Sequence, residues 1–292
     1  MQLSVIIVNH NHPELLTSCI QSLDTGKGSV EVETIIVDNA SSYPVDKQIQ
    51  TFQTLYQNLH IRLVKNSRNL GFGKANNQGV KISNGEFVLF LNTDCFSHLN
   101  SVEKLYTFAL KHPDYTIIGG KLVNPDLSDQ PSAGRYLSLP AVFAMLFLRG
   151  DRIGLTRYSP KSSRVVDWVS GACFIIKKTN FEKLDGFDEQ VFMYMEEIEL
   201  MRRAKIKSMN TYFYHGAVFT HIGAATSENR TTPVLNIFIG LMYLYSKYHS
   251  PLEQTLLRLL LRTKARISVI LGKLFNRGDL VQIYEKADRL VG

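Results

Sequence analysis

The sequence predicts an α/β fold: a mostly parallel sheet with helices on both faces, followed by a helical C-terminal extension. Three observations carry this. Short apolar runs alternate with helix-period segments from Leu3 to Ala109. Each of the first runs ends in polar residues, and from about Pro233 only helical patterns remain. A chain of 292 residues with 45% hydrophobic side chains buries a full core, which excludes disordered and collagen-like classes.

The elements follow in order. Leu3 to Val8 reads as a strand, and His12-Pro13 opens a helix over Glu14 to Leu23, since proline at the first helical position sacrifices no hydrogen bond. Leu15, Leu16, Cys19, Ile20 and Leu23 form its apolar stripe. Thr34 to Val37, Ile61 to Val64 and Phe87 to Leu91 read as further strands, with helices at Val45 to Leu59 and Lys74 to Ile82 between them. A helix through Ala109 leads to a strand at Thr116 to Ile118 and a long polar segment from Asn124 to Arg135. Loops of that length in a compact domain are usually functional. A strand at Ala172 to Lys177, an amphipathic helix from Glu196 to Lys207 and a strand-like Ala217 to Thr220 complete the first unit. The expected division sets 1–232 as the first unit. Residues 233–292 form the extension.

The formal charge of +7 and a pI near 9.2 favour anionic partners such as nucleotides, phosphorylated lipids or nucleic acid. Nucleic acid is set aside, because the basic residues concentrate in an apolar-rich tail and no recognition motif is present. Cys19, Cys95 and Cys173 are scattered without a CxxC pair, which points to a reducing, cytoplasmic setting. The N-terminus carries no export signal, and the apolar stretches Leu137 to Leu148 and Val234 to Tyr245 fall short of the ~20 residues of a spanning helix.

In open parallel sheets ligands sit beyond the carboxyl ends of the strands. Those ends read Asn9-His10-Asn11, Asp38-Asn39, Asn66 to Asn69 and Asn92-Thr93-Asp94. Asp94 closes a strand that is expected to be buried, so its carboxylate needs a cation or donors to offset desolvation. Magnesium or manganese takes few protein oxygens besides substrate phosphates, and His221 is a candidate second ligand. Gly71-Phe72-Gly73 suits either close approach of backbone amides to a phosphate or ribose, or a flexible turn. The stretch Phe187 to Glu199 sets carboxylates at a helix start beside an aromatic and methionine run. Such an apolar wall raises a carboxylate's pKa and suits it to take a proton from a hydroxyl.

Together these stretches resemble glycosyltransferase family 2, in particular its rhamnosyltransferase-like branch. The matching runs are Ser4 to Asn9, Val37 to Ser41, Asn69 to Asn77, Leu91 to Asp94, Asp167 to Ala172, Gly186 to Asp188, Phe192 to Glu197, and His221. The resemblance implies that 1–232 is a catalytic unit of GT-A, Rossmann-like fold, with a nucleotide-binding half to about 120 and an acceptor-binding half from about 121 to 232. It implies a transfer from a nucleoside diphosphate sugar, with thymidine diphosphate rhamnose the first guess and a uridine diphosphate sugar the second. It implies that Asp38 accepts the N3 hydrogen of uracil or thymine, and that Asn9, Asn39, Asn69, Gly71, Phe72, Asn77, Asn92 and Thr93 line the nucleotide. Asp94 stands at the last position of the family's Asp-x-Asp metal site, Asn92 replaces its first carboxylate, and His221 completes the metal contacts. Glu197, or alternatively Glu196, is the implied base. Trp168, Gly171, Ala172 and Arg135 border donor and acceptor, and Gln130 and Ser132 match a less specific stretch.

The implied chemistry is a single inverting displacement on a hydroxyl of a glycan or lipid-linked acceptor in cell-surface polysaccharide synthesis. Gln254 to Gly278 is basic and amphipathic with no acidic residue, so it suits either an anionic membrane surface or packing on the catalytic unit or a second subunit. Two rivals are a family member that binds nucleotide sugar without turnover, prompted by Asn92 and Glu197, and a nucleotidyltransferase. The latter lacks a glycine-rich loop after the first strand.

Overall fold

Leu-Ser-Val-Ile-Ile-Val-Asn forms β1 (Leu3–Asn9), buried along almost its whole length, as a strand covered on both faces must be. The computed structural model describes residues 1–151, 153–223 and 231–292. Pro13 opens α1 (Pro13–Gly26), which turns Leu16, Cys19, Ile20 and Leu23 inward. Then come β2 (Val32–Asp38), α2 (Val45–Leu55), β3 (Ile61–Lys65), α3 (Phe72–Lys81) and β4 (Phe87–Leu91). The helix expected to reach Leu59 stops at Leu55, where Tyr56 leaves the helical region at φ −120° and a 3-10 turn, Gln57–Leu59, follows.

The chain continues through β5 (Cys95–Ser97), α4 (Ser101–Lys111), β6 (Tyr115–Val123), β7 (Ala133–Gly134), α5 (Leu139–Phe147), β8 (Arg157–Tyr158), β9 (Arg164–Val166) and β10 (Trp168–Val169). After these come β11 (Cys173–Lys177), α6 (Lys178–Lys183), α7 (Glu196–Ile206), β12 (Asn210–His221), α8 (Thr231–Tyr248), α9 (Pro251–Leu274) and α10 (Gly278–Val291).

The main sheet runs β3-β2-β1-β4-β11-β6-β12-β5, with β9 on β12. Its first four strands are parallel, β11 lies antiparallel between β4 and β6, and β12 runs parallel to β6. Strand order reverses at β1, between β2 and β4, which opens the crevice where such sheets bind ligands. A second sheet, β10-β7-β8, stands apart. Alternation divides the core: Leu3, Val5 and Ile7 face one layer, and Ile6, Val37 and Phe90 the other. Phe90, Phe174, Phe181 and Phe187 form one aromatic knot with ring centroids 4.8 to 6.1 Å apart.

The C-terminal helices belong to that second layer. Phe238, Leu241, Tyr245, Leu257, Leu261 and Ala287 share one buried cluster with Ile6 and Phe174. Residues 224–230, the last stretch of the expected catalytic unit, lie outside the described residues. An ionic cluster fastens α8 to the base of α7. Glu199, fully buried, accepts from Arg203, Lys247 and Tyr248, and Lys247 also reaches Asp188 at 2.6 Å. On α8, Gly240 has no room for a side chain, since a Cβ there would meet Met195 at 2.7 Å and the Tyr194 carbonyl at 3.0 Å.

Candidate active site

The carboxyl ends of β1, β2 and β4 open on a cavity of about 120 Å3, lined among others by His10, Asn39, Asn69, Phe72, Asn92 and Asp94. Asp38, next to Asn39 in the chain, is buried outside the lining of this cavity, and its two donors, Asn9 Nδ2 and the Ser41 amide, both stand at the long limit of 3.4 Å. A carboxylate so weakly served keeps acceptor capacity for a further N–H.

Asn39 is a hub for the loop before α3. Its Nδ2 donates to Asn69 Oδ1 at 2.8 Å and to the Gly71 carbonyl, and its Oδ1 accepts from Asn66 Nδ2 and the Leu70 amide. Asn39 and Asn69 therefore shape the cavity wall with amides largely engaged. Gly71 has φ +85°, and a Cβ there would lie 2.3 Å from the Phe192 carbonyl. Gly73 packs against Phe187. The Gly71 and Phe72 amides donate to Asn69 Oδ1 and the Phe192 carbonyl. The glycines thus serve close packing of α3 against 187–192, and those two amides are not free for a phosphate. Asn77 also stands apart: its amide brackets the backbone of Phe187, accepting from N and donating to O at 2.9 Å each, and it reaches Glu189.

Asp94 and His221 meet because β12 pairs antiparallel with β5 in a register that sets His221 opposite Cys95, and because the Ile222 amide donates to the Asp94 carbonyl. Gln130 fixes the imidazole. Its Nε2 donates to the His221 carbonyl at 2.8 Å and to Asn124 Oδ1, so its Oε1 accepts from His221 Nδ1–H at 2.7 Å. With Nδ1 so engaged, the ring turns Nε2 to Asp94 Oδ1, 3.3 Å away, and that oxygen has no hydrogen-bond donor. Two acceptors facing at that distance repel unless a cation or proton lies between them. Nitrogen and carboxylate oxygen suit a divalent ion that takes its remaining ligands from diphosphate and water. Among the described residues no group of three His, Cys, Asp or Glu gathers as a metal cluster. Asn92 Oδ1, also buried and without a partner, adds a neutral acceptor in the same cavity, and Thr93 is tied to the Val8 carbonyl at 2.6 Å.

Across from this pair, Tyr194 and Met195 both take positive φ, 67° and 75°, before α7 begins. Two consecutive left-handed residues with side chains cost about 1–3 kcal/mol each, a strain held here by α8. The Tyr194 phenol is raised in pKa by burial and then by the charges of Glu196, Glu197 and Asp94.

Burial raises both adjacent glutamates. Glu196 is enclosed, its Oε2 has no partner, and the Glu197 charge raises it further. Glu197 is partly exposed as a residue although its Oε2 is sealed off without a partner. Against that burial, the amides of Glu197, Gly171 and Ile198 and the Arg157 guanidinium favour its charged form. Two such neighbours do not both ionise readily, and more groups favour the charged form at Glu197 than at Glu196, so Glu197 is the more readily ionised of the two. Gly171 sits on Glu197, with its Cβ position 3.5 Å from Glu197 Cβ.

The small sheet supplies the remaining wall. Trp168, buried, donates Nε1–H to the Arg135 carbonyl, while the Arg135 side chain itself is exposed. Ala172 accepts from the Asn92 amide, and Ser132 Oγ is buried without a partner. Arg157 was not indicated by any local pattern. It lies over Trp168 at 6.0 Å, donates to Ser170 Oγ at 3.3 Å, and burial followed by the Glu197 charge governs its ionisation. A second cavity of about 170 Å3, between Tyr136, Arg202 and Tyr248, has no carboxylate in its lining and is separate from this site.

A parallel half-sheet with its crevice at β1, joined to a mixed second half and bearing a buried carboxylate at the end of β4, is the fold of a GT-A glycosyltransferase. Solved structures agree in fold. GalNAc-T7 with UDP, GalNAc and Mn2+ matches at TM-score 0.61 and 16% identity over 85% of this chain and 51% of that one, so the chain spans about half its length. The mannosyltransferase PcManGT from Pyrobaculum calidifontis, in complex with GDP-Man and Mn2+, matches at 0.60 and 13% over 98% and 73%.

The chain belongs to glycosyl transferase family 2, whose model matches residues 4–185. Among its relatives, an N-acetylglucosaminyl-diphospho-decaprenol L-rhamnosyltransferase of Mycobacterium tuberculosis is 28% identical over 68% of this chain and 69% of its own. A rhamnosyltransferase of Escherichia coli is 24% identical over 74% and 83%.

Proposed function

We infer that the protein is an inverting glycosyltransferase that moves a sugar from a pyrimidine nucleoside diphosphate donor to a hydroxyl of a lipid-linked glycan during cell-surface polysaccharide synthesis. The observation that carries this reading is the Asp94–His221 pair at the crevice, linked to Glu197 by the Asn92 amide that donates to the Ala172 carbonyl and by Gly171, which packs on Glu197. Asp38 accepts N3–H of uracil or thymine, a donor that cytosine lacks. Rhamnose is the first choice of sugar, from the names of the relatives, carried on thymidine diphosphate as the family resemblance implies, and a uridine diphosphate sugar is the second choice.

Glu197 takes the proton of the acceptor hydroxyl as its oxygen forms a bond to the anomeric carbon. The bond from that carbon to the diphosphate oxygen breaks, and its electron pair leaves with the nucleoside diphosphate. Asp94 and His221 would hold a divalent cation, Mg2+ or Mn2+, which would supply positive charge to the departing diphosphate. Asn92 in place of a carboxylate leaves the cation's own charge less offset by the protein. One base and one in-line attack invert the anomeric centre.

Product analysis by NMR tests the stereochemistry: an inverted anomeric configuration is expected, and retention contradicts the mechanism. In parallel, Glu197→Gln is expected to lower kcat by about 100-fold or more, the scale of a lost general base, with donor affinity unchanged. Full activity in that variant would remove Glu197 from the mechanism.

A further inference from the structure

We propose that α9, together with α5, forms a docking face for an anionic membrane surface. One face of α9 is committed to the core through Leu257, Leu261, Ala265, Ser268 and Gly272. The opposite face carries Leu252, Leu256, Leu259, Thr263, Ile267, Ile270 and Leu274, at steps of four, three, four, four, three and four residues. At 3.6 residues per turn these fall within about 80° of arc. All are exposed, with Leu252 69%, Leu259 61%, Ile270 64% and Leu274 73% accessible. Isolated exposed leucines are ordinary, but a continuous stripe of them along a helix of 24 residues is not.

The stripe continues sideways onto α5. Lys264 Nζ lies 5.9 Å from the Phe147 ring, and Phe143 and Leu148 stand exposed beside it. Cations border the apolar band. Arg262 and Arg266 share Asp288, and Arg277 pairs with Asp279, which leaves Arg258, Lys264 and Lys273 without a carboxylate partner among the described residues. No Asp or Glu occurs from Gln254 to Gly278.

An apolar stripe flanked by unpaired basic side chains matches the headgroup boundary of a bilayer, where leucines enter the acyl layer and Lys and Arg remain at the phosphates. A second copy of the chain is a poorer fit, because a two-fold contact would set this patch against itself and oppose its cations. Among the described residues no helix is long and apolar enough to cross a membrane, so the contact is one of lying on the surface.

The test is flotation of the full chain with vesicles of phosphatidylcholine alone or with about 30% phosphatidylglycerol, at low and high salt. A truncation before α8 is unsuitable because it would strip the shared core. Leu259→Asp with Ile270→Asp, and separately Arg258→Glu with Lys273→Glu, alter only exposed positions, and thermal melts confirm their folding. Binding to anionic vesicles only, weakened by salt and reduced about tenfold or more in both double variants, is the expected result.

Equal binding to neutral vesicles, unchanged variants, or no flotation overturns the proposal. So does a concentration-dependent dimer that the aspartate variant dissolves, which would assign the face to a second copy. The readout is binding, so failure here leaves the transferase reading standing.

Discussion

Lys247→Met is expected to destabilise the protein by about 2–3 kcal/mol. The cluster it belongs to is balanced, two carboxylates (Asp188, Glu199) against two cations (Arg203, Lys247), with Glu199 completely buried. Removing the ammonium leaves Glu199 with Arg203 and Tyr248, and Asp188 with Tyr243, one positive charge short. Breaking a buried ion pair from one side costs roughly 3–5 kcal/mol. The lysine side chain is 32% exposed, so water replaces part of what is lost and the lower end applies. For a chain of this size that is a fall in Tm of about 5 °C. Differential scanning fluorimetry measures it, with Asp188→Asn added to restore charge balance and recover part of the loss. A shift under about 1 °C would refute the view that this cluster fastens α8 to the segment carrying Glu197.

Other consequences follow from the same geometry. Glu196 has a raised folded-state pKa, so its contribution to stability is greatest below its unfolded pKa and is lost as pH rises toward the folded value; Glu196→Gln should melt higher than the native chain at pH 8, with the gap closing toward pH 4. Arg157→Met withdraws the charge that favours ionised Glu197, so the acid limb of the kcat/KM profile moves to higher pH, and an unmoved limb would separate Arg157 from the base. Gln130→Leu frees the His221 tautomer and is expected to raise the manganese concentration needed for half-maximal rate by about 10- to 100-fold, measured by titration with the donor saturating.

The first four strands were legible because each is a short apolar run bounded by turn residues, and their polar ends did converge on one crevice. The pairing of Asp94 with His221 is carried by a strand register across the sheet, which no local pattern encodes. β12 was only glimpsed: Tyr212 and Tyr214 on its outer side stack on Phe108 at 5.4 and 4.1 Å, so its alternation of apolar with polar is absent. The two-residue strands of the second sheet were missed, and Arg157 with them. Gly71 and Gly73 read equally as phosphate approach or turn, and only the position of Phe187 and Phe192 shows why no side chain fits. The amphipathic tail, read as packing or membrane surface, has one face for packing and one exposed.

The central claim, donor turnover at the Asp94–His221 site, is tested most directly by nucleoside diphosphate release over a panel of thymidine, uridine and guanosine diphosphate sugars, with and without Mn2+, for the native chain and Asp94→Ala. The account predicts metal-dependent release from one pyrimidine donor, abolished by the substitution. Release that is indifferent to both metal and Asp94, or that prefers a guanosine donor, would contradict it.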